Sequence, residues 1–156
     1  MKKIFLTIAV ICVVFLASSC KKDSNGNSAN SMSASIGGTQ WSALIPAGAL
    51  SNGVLVITGT SLTGQSIIVT VNGQTAGTYN LSVIPPKAEC LGTYKATLTA
   101  TSEDTYVSTT GSVVLTKVDL TNKLVSGTFE FTAANSTLVV KQITAGTFTD
   151  VTFITQ

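Results

Sequence analysis

The stretch Val125-Ser126-Gly127-Thr128-Phe129-Glu130-Phe131-Thr132 alternates without a break between apolar or small residues and polar ones. A period of two belongs to a β-strand with one face buried and one face wet. It predicts Phe129 and Phe131 in a core, with Thr128 and Glu130 turned to water. The same rhythm returns in Tyr79-Leu81-Val83 and in Tyr94-Ala96-Leu98-Ala100. No window of comparable length repeats at i, i+3, i+4, and β-branched residues dominate throughout. Strands are therefore predicted at 32–36, 39–45, 54–60, 65–72, 77–84, 92–101, 105–109, 111–118, 123–133, 137–144 and 147–154.

The punctuation between these segments has physical causes. Asn72-Gly73 is the strongest hairpin signal, because both residues tolerate φ > 0. Gly37-Gly38 suits a tight turn. Asp119-Leu120-Thr121-Asn122 places side chains that can bond nearby backbone, and Ala134-Asn135-Ser136 closes a further hairpin. Pro85-Pro86 cannot donate to a ladder, so the chain must leave the sheet there. Short connections imply sequential antiparallel neighbours. The expected fold is all-β: an antiparallel, meander-rich β-sandwich or flattened β-barrel of about ten strands, preceded by a signal peptide. Gly-Thr-aromatic recurs at Gly77, Gly92, Gly127 and Gly146. It reads as a strand device, with the glycine permitting close approach, the threonine outside and the aromatic in the core.

A chain of 156 residues suggests one domain. Charged residues make up 10%, and there is no arginine and no histidine. Two of the nine lysines are Lys2 and Lys3, so from Cys20 onward seven lysines face seven carboxylates. That balance lacks the electrostatic footprint of a nucleic-acid binder, so no nucleic-acid partner is expected.

Residues 1–19 read as a lipoprotein signal peptide. Met1-Lys2-Lys3 is a positive start, Ile4 to Leu16 is an uncharged apolar run, and Ala17-Ser18-Ser19 are small. The run is shorter than the ~20 residues that span a bilayer as a permanent helix. Leu16-Ala17-Ser18-Ser19-Cys20 resembles the bacterial lipobox. That resemblance implies cleavage before Cys20 and acylation of its thiol and new amino terminus. Membrane lipid is then the expected partner, reached through acylated Cys20. One acyl chain anchors only marginally, whereas two or three anchor firmly. Residues 20–31 form a polar tether and 32–156 the β-domain. The expected place is the cell envelope, at the outer membrane.

Without histidine, the usual nucleophile–base pairs and His-ligated metals are excluded. No catalytic, metal or cofactor site is expected. Cys90 reads as a small core residue. Glu103 and Asp104 are adjacent and would point apart along a strand. Asp119 with Asn122 reads as turn chemistry rather than a Ca²⁺ loop. Trp41, the one tryptophan, reads as a core plug, with an exposed ligand-binding platform as the weaker alternative.

Ala34-Ser35-Ile36-Gly37-Gly38-Thr39-Gln40-Trp41-Ser42-Ala43 resembles the "A-x-I-N-G-x-x-W-x-A" opening of small uncharacterised lipoproteins from Bacteroidota. Gly111 to Thr116, then Asp119, then Val125 to Phe131 is similar to their "G-x-V-x-L-T-x-x-D … V-S-G-T-F-x-F" hairpin. Ile143 to Phe148 resembles their closing "I-T-x-G-x-F". The resemblance covers nearly all of residues 32–156, with Gly37 standing where Asn is common. Its motifs are turn glycines and core aromatics. The expected function is a non-enzymatic envelope lipoprotein, a binding or structural module whose protein or glycan ligand stays open. The alternative is a lipocalin-like carrier of a small apolar ligand, and a carbohydrate-active enzyme comes third.

Overall fold

The computed structural model describes residues 29–82 and 89–156. Ten strands form one mostly antiparallel sheet, and no helix occurs among the described residues. They are β1 (Ser31–Ile36), β2 (Thr39–Ser42), β3 (Ala47–Ser51), β4 (Val54–Thr60), β5 (Ser66–Asn72), β6 (Gly77–Ser82), β7 (Cys90–Lys95), β8 (Thr105–Asp119), β9 (Leu124–Ala134) and β10 (Val140–Thr155). The all-β reading stands and ten strands match the expected number of about ten, although two pairs of the eleven expected segments merge and β3 is added. The leader, Cys20 and Pro85-Pro86 lie outside the described residues.

The ladder closes on itself. From β10 it runs through β3, β4, β5, β7, β8 and β9, and back to β10. The β3–β10 seam is parallel and joins Gly48, Ala49 and Leu50 to Phe153, Ile154 and Thr155. β9 pairs along its length with β8 on one side and β10 on the other. The free halves of those two long strands take the extra elements: β6 lies on β8, and the β1–β2 hairpin lies on β10.

Several boundaries differ from the sequence reading, each for a local reason. β8 continues through residue 110 and β10 through residues 145–146, where breaks were expected. At both places the register shifts by a bulge, with Gly111 at φ 138° and Ala145 at φ 49°. A bulge absorbs an extra residue without ending the strand, so the in–out alternation survives. Asn72-Gly73 is not a hairpin, because β5 pairs with β7 and leaves β6 to β8. The Asn-Gly hairpin is Asn52-Gly53, at φ 50° and 80°, joining β4 to a strand β3 that the sequence reading missed. β7 ends at Lys95, which leaves Leu98 outside at 76% exposure. Gly37-Gly38 is the expected turn, with φ 56° and 87°.

Inside the ring, glycines seat aromatics. Gly127-Thr128-Phe129 lies antiparallel to Gly146-Thr147-Phe148, in register: Gly127 opposite Phe148, Thr128 opposite Thr147, Phe129 opposite Gly146. Each phenylalanine therefore covers the other strand's glycine, and the two rings stack at 6.2 Å. A methyl group at Gly146 would stand 2.5 Å from the Phe129 ring, and one at Gly92 would stand 2.8 Å from the Phe131 ring. At Gly59 it would meet Met32 Sδ at 2.8 Å and the Trp41 ring at 2.9 Å. In the Gly77 copy, Tyr79 is only half-buried and its hydroxyl donates to Thr75 O at 2.8 Å.

Cys90 is buried, and its Sγ donates to Tyr79 O at 3.2 Å. Burial pushes its thiol from 9.0 up to about 11, against an opposing backbone hydrogen bond. The raised folded value means that Cys90 adds stability fully below pH 9.0, which is lost as pH rises toward about 11. Denaturant melts at pH 8 and pH 10.5 should therefore show a larger alkaline loss in the parent than in Cys90→Ala. Equal losses would refute the burial argument.

Candidate functional site: a hydroxyl-lined trough outside the ring

The wet positions of β8, β9 and β10 form the outer floor and walls of a shallow trough. β9 supplies Ser126, Thr128, Glu130 and Thr132, the residues that alternate with its buried phenylalanines. β8 brings Thr110 opposite Thr132, Ser112 opposite Glu130 and Val114 opposite Thr128. β10 brings Gln142 opposite Thr132 and Thr147 opposite Thr128, and Thr144 lines the same cleft as Gln142. Three adjoining open clefts of about 260, 310 and 360 Å³ run along this line. The first two share Glu130, and the second and third share Thr128 and Thr147.

One end of the trough is pinned where two bulges meet. Lys117 Nζ lies 3.0 Å from Asp150 Oδ1. Ser126 Oγ donates to that oxygen at 3.2 Å and accepts from the Asp150 amide at 2.8 Å. Asp150 itself sits at φ 46°. The Lys117 hydrogen bond holds its carboxyl below the usual carboxylate value. Both partners are part-exposed, so the pair positions the strands more than it stabilises them.

Chemically, the trough offers hydroxyls, each of which both donates and accepts, apolar surface that includes Val114 and Ala145, and one carboxylate at mid-length. No cluster of three or more His, Cys, Asp or Glu able to hold a metal occurs among the described residues. No helix long and apolar enough to cross a membrane occurs among them either.

The sequence-stated candidates lie elsewhere. Trp41 is 4% exposed, and its Nε1 donates to Gln65 O at 3.3 Å. It stands in the core against Gly59 rather than on the surface. Asp119 Oδ1 accepts from the amides of Thr121 and Asn122, and Oδ2 accepts from Asn122 Nδ2 at 2.8 Å, so its oxygens serve the turn. The Asn122 side chain accordingly holds the Asp119 carboxyl below its ordinary value. Glu103 and Asp104 sit in the β7–β8 loop, whereas Glu130 stands in β9. Sequence reasoning placed Thr128 and Glu130 outside but not the trough. The signal for it was the frequent use of Ser and Thr at the wet positions of three successive strands.

A family model described as "Domain of unknown function (DUF6252)" matches residues 28–152. No curated protein and no solved structure matches the chain.

Proposed function

This chain belongs to the DUF6252 domain family, and from that premise we propose that it is a non-enzymatic envelope lipoprotein whose β-domain binds at its outer surface. Cys20 carries the acyl chains, residues 20–31 are the lipidated cysteine and its tether, and the outer membrane is the anchoring layer. The observation that carries the binding reading is the contrast between the two faces of β8, β9 and β10. Their inner face is filled by aromatics that reach the opposing backbone, whereas their outer face is an open trough lined by hydroxyls together with small apolar groups. A carrier of the lipocalin kind needs the reverse arrangement, with room inside.

The occupant that suits such a lining is an extended, uncharged, hydroxyl-rich chain, that is, a neutral polysaccharide. Its hydroxyls would exchange donors and acceptors with those of Ser112, Thr128 and Thr147. Each hydrogen bond contributes only about 0.5–1.5 kcal/mol net, and no aromatic platform adds stacking, so affinity should be weak and avidity important. Calorimetric titration with a soluble β-glucan and a soluble mannan should give heats with at least one of them. Those heats should vanish in Thr128→Arg, which fills the trough. Binding unchanged by Thr128→Arg, or none to either polymer, would sink this reading.

The anchor is tested apart from the ligand. Cys20→Ala should abolish incorporation of radioactive fatty acid and block cleavage of the leader. Labelling that survives would remove the lipoprotein assignment.

A further inference from the structure

We propose that the end of the ring opposite the Asn52-Gly53 turn is a self-association surface that docks on a second copy of this chain. β4, β7 and β9 finish there, and β3, β5, β8 and β10 begin there. Four loops therefore gather at that end: 43–46, 61–65, 96–104 and 135–139. They touch in series. Leu44 N donates to Thr60 O at 2.9 Å, Leu98 Cγ lies 2.9 Å from where a Gly64 methyl would stand, and Asn135 Nδ2 donates to Glu103 O at 2.6 Å. Each loop turns a large aliphatic side chain outward. Leu62 is 84% exposed and Leu138 is 82% exposed, and Leu44, Ile45 and Leu98 join them. Of the eleven large hydrophobic residues exposed among the described ones, six lie in the loops of this single end, these five and Val139.

The surface is built to hold its shape. Asn135 is buried, and its Oδ1 accepts from the amides of Thr137 and Val139 and from the Thr137 hydroxyl. That clasp keeps Leu138 at φ 63°, a conformation costly for leucine unless its surroundings impose it. A strained residue held with its side chain in water calls for a partner that covers it.

Area and charge select a second copy. Five such side chains present on the order of 500 Å² of apolar surface. That is toward the upper end of the roughly 300–600 Å² that the largest patch on a monomer reaches, and over half of the roughly 800 Å² that each partner gives to a stable interface. An apolar end is complementary to itself. The charges flanking these loops are Lys95, Lys141, Glu103 and Asp104, two of each sign, so a copy meets no net repulsion and can pair across the rim. A lipid surface is disfavoured, since these loop tips carry neither the basic nor the aromatic residues that seat proteins at headgroups.

The full chain, made in cells with single cysteines introduced, tests this through a short bismaleimide cross-linker applied to envelopes. Leu62→Cys and Leu138→Cys should each give a band of twice the chain mass, above the background of the parent. Leu120→Cys, at the far end of the ring, should not. Adding Leu62→Asp to Leu138→Cys should lower the dimer yield about tenfold, and the milder Leu62→Ser should lower it less. Three outcomes would overturn the proposal: a yield untouched by both, an equal yield from Leu120→Cys, or cross-links to a protein of another mass or to none.

Discussion

Gly111→Ala is expected to destabilise the folded chain by about 3–5 kcal/mol, among the largest losses a single methyl group can cause. Two effects combine at this residue. Its φ of 138° is one that L-residues rarely adopt, and its pairing with Phe131 brings the β9 backbone against the missing side chain. A methyl group would meet the Glu130 carbonyl oxygen and would lie 2.6 Å from Phe131 Cα. Neither is the far end of a flexible side chain, so one strand must shift. Gly53→Ala separates the two effects. Gly53 has φ 80° with nothing within 4 Å of its added methyl. It should lose only the strain of a left-handed backbone, about 1–2 kcal/mol. Urea melts giving equal losses for the two variants would show that the contact with β9 contributes nothing.

Phe129→Ala is expected to cost about 3–5 kcal/mol, while Thr128→Ala beside it stays within about 0.5–1 kcal/mol. Phe129 is buried, stacks on Phe148 and covers Gly146. Removing its ring leaves a cavity that Gly146 has no side chain to fill. Thr128 is exposed and faces the trough. Comparable shifts in denaturation midpoint for both would contradict the assignment of faces.

The faces of β9 were legible because a strict alternation has only one register that buries its phenylalanines. Partners were not legible, as a comparison of Asn-Gly pairs shows. Asn52-Gly53 and Asn72-Gly73 carry the same turn chemistry, yet only the first joins adjacent strands. What decides between them is whether the next segment finds its apolar partner beside it. For β6 that partner is β8, across the whole of β7 and its loops, with Gly77 set against Leu115 and Leu81 against Gly111. β3 escaped notice because Ala47-Gly48-Ala49 has almost no side chain to alternate. Its glycine is there for Phe153, to whose Cβ a methyl would come within 2.8 Å. The trough was invisible for a related reason. Hydroxyl residues on one strand read as ordinary solvent-facing positions, and only the register of three strands lines them up.

The seam between β3 and β10 has a bearing on how the chain reaches this state. β8, β9 and β10 can pair in sequence, each closing a short loop, so their assembly costs little chain entropy. The seam is different: it joins residues 48–50 to 153–155 through three pairs, across about two-thirds of the chain. Closure must therefore wait until both halves exist, and slow folding is the rule where such distant pairings matter. The same few pairs are the natural place for the ring to part under thermal fluctuation. Amides along that seam should exchange with solvent through a partial opening well before the β8–β9–β10 ladder gives way.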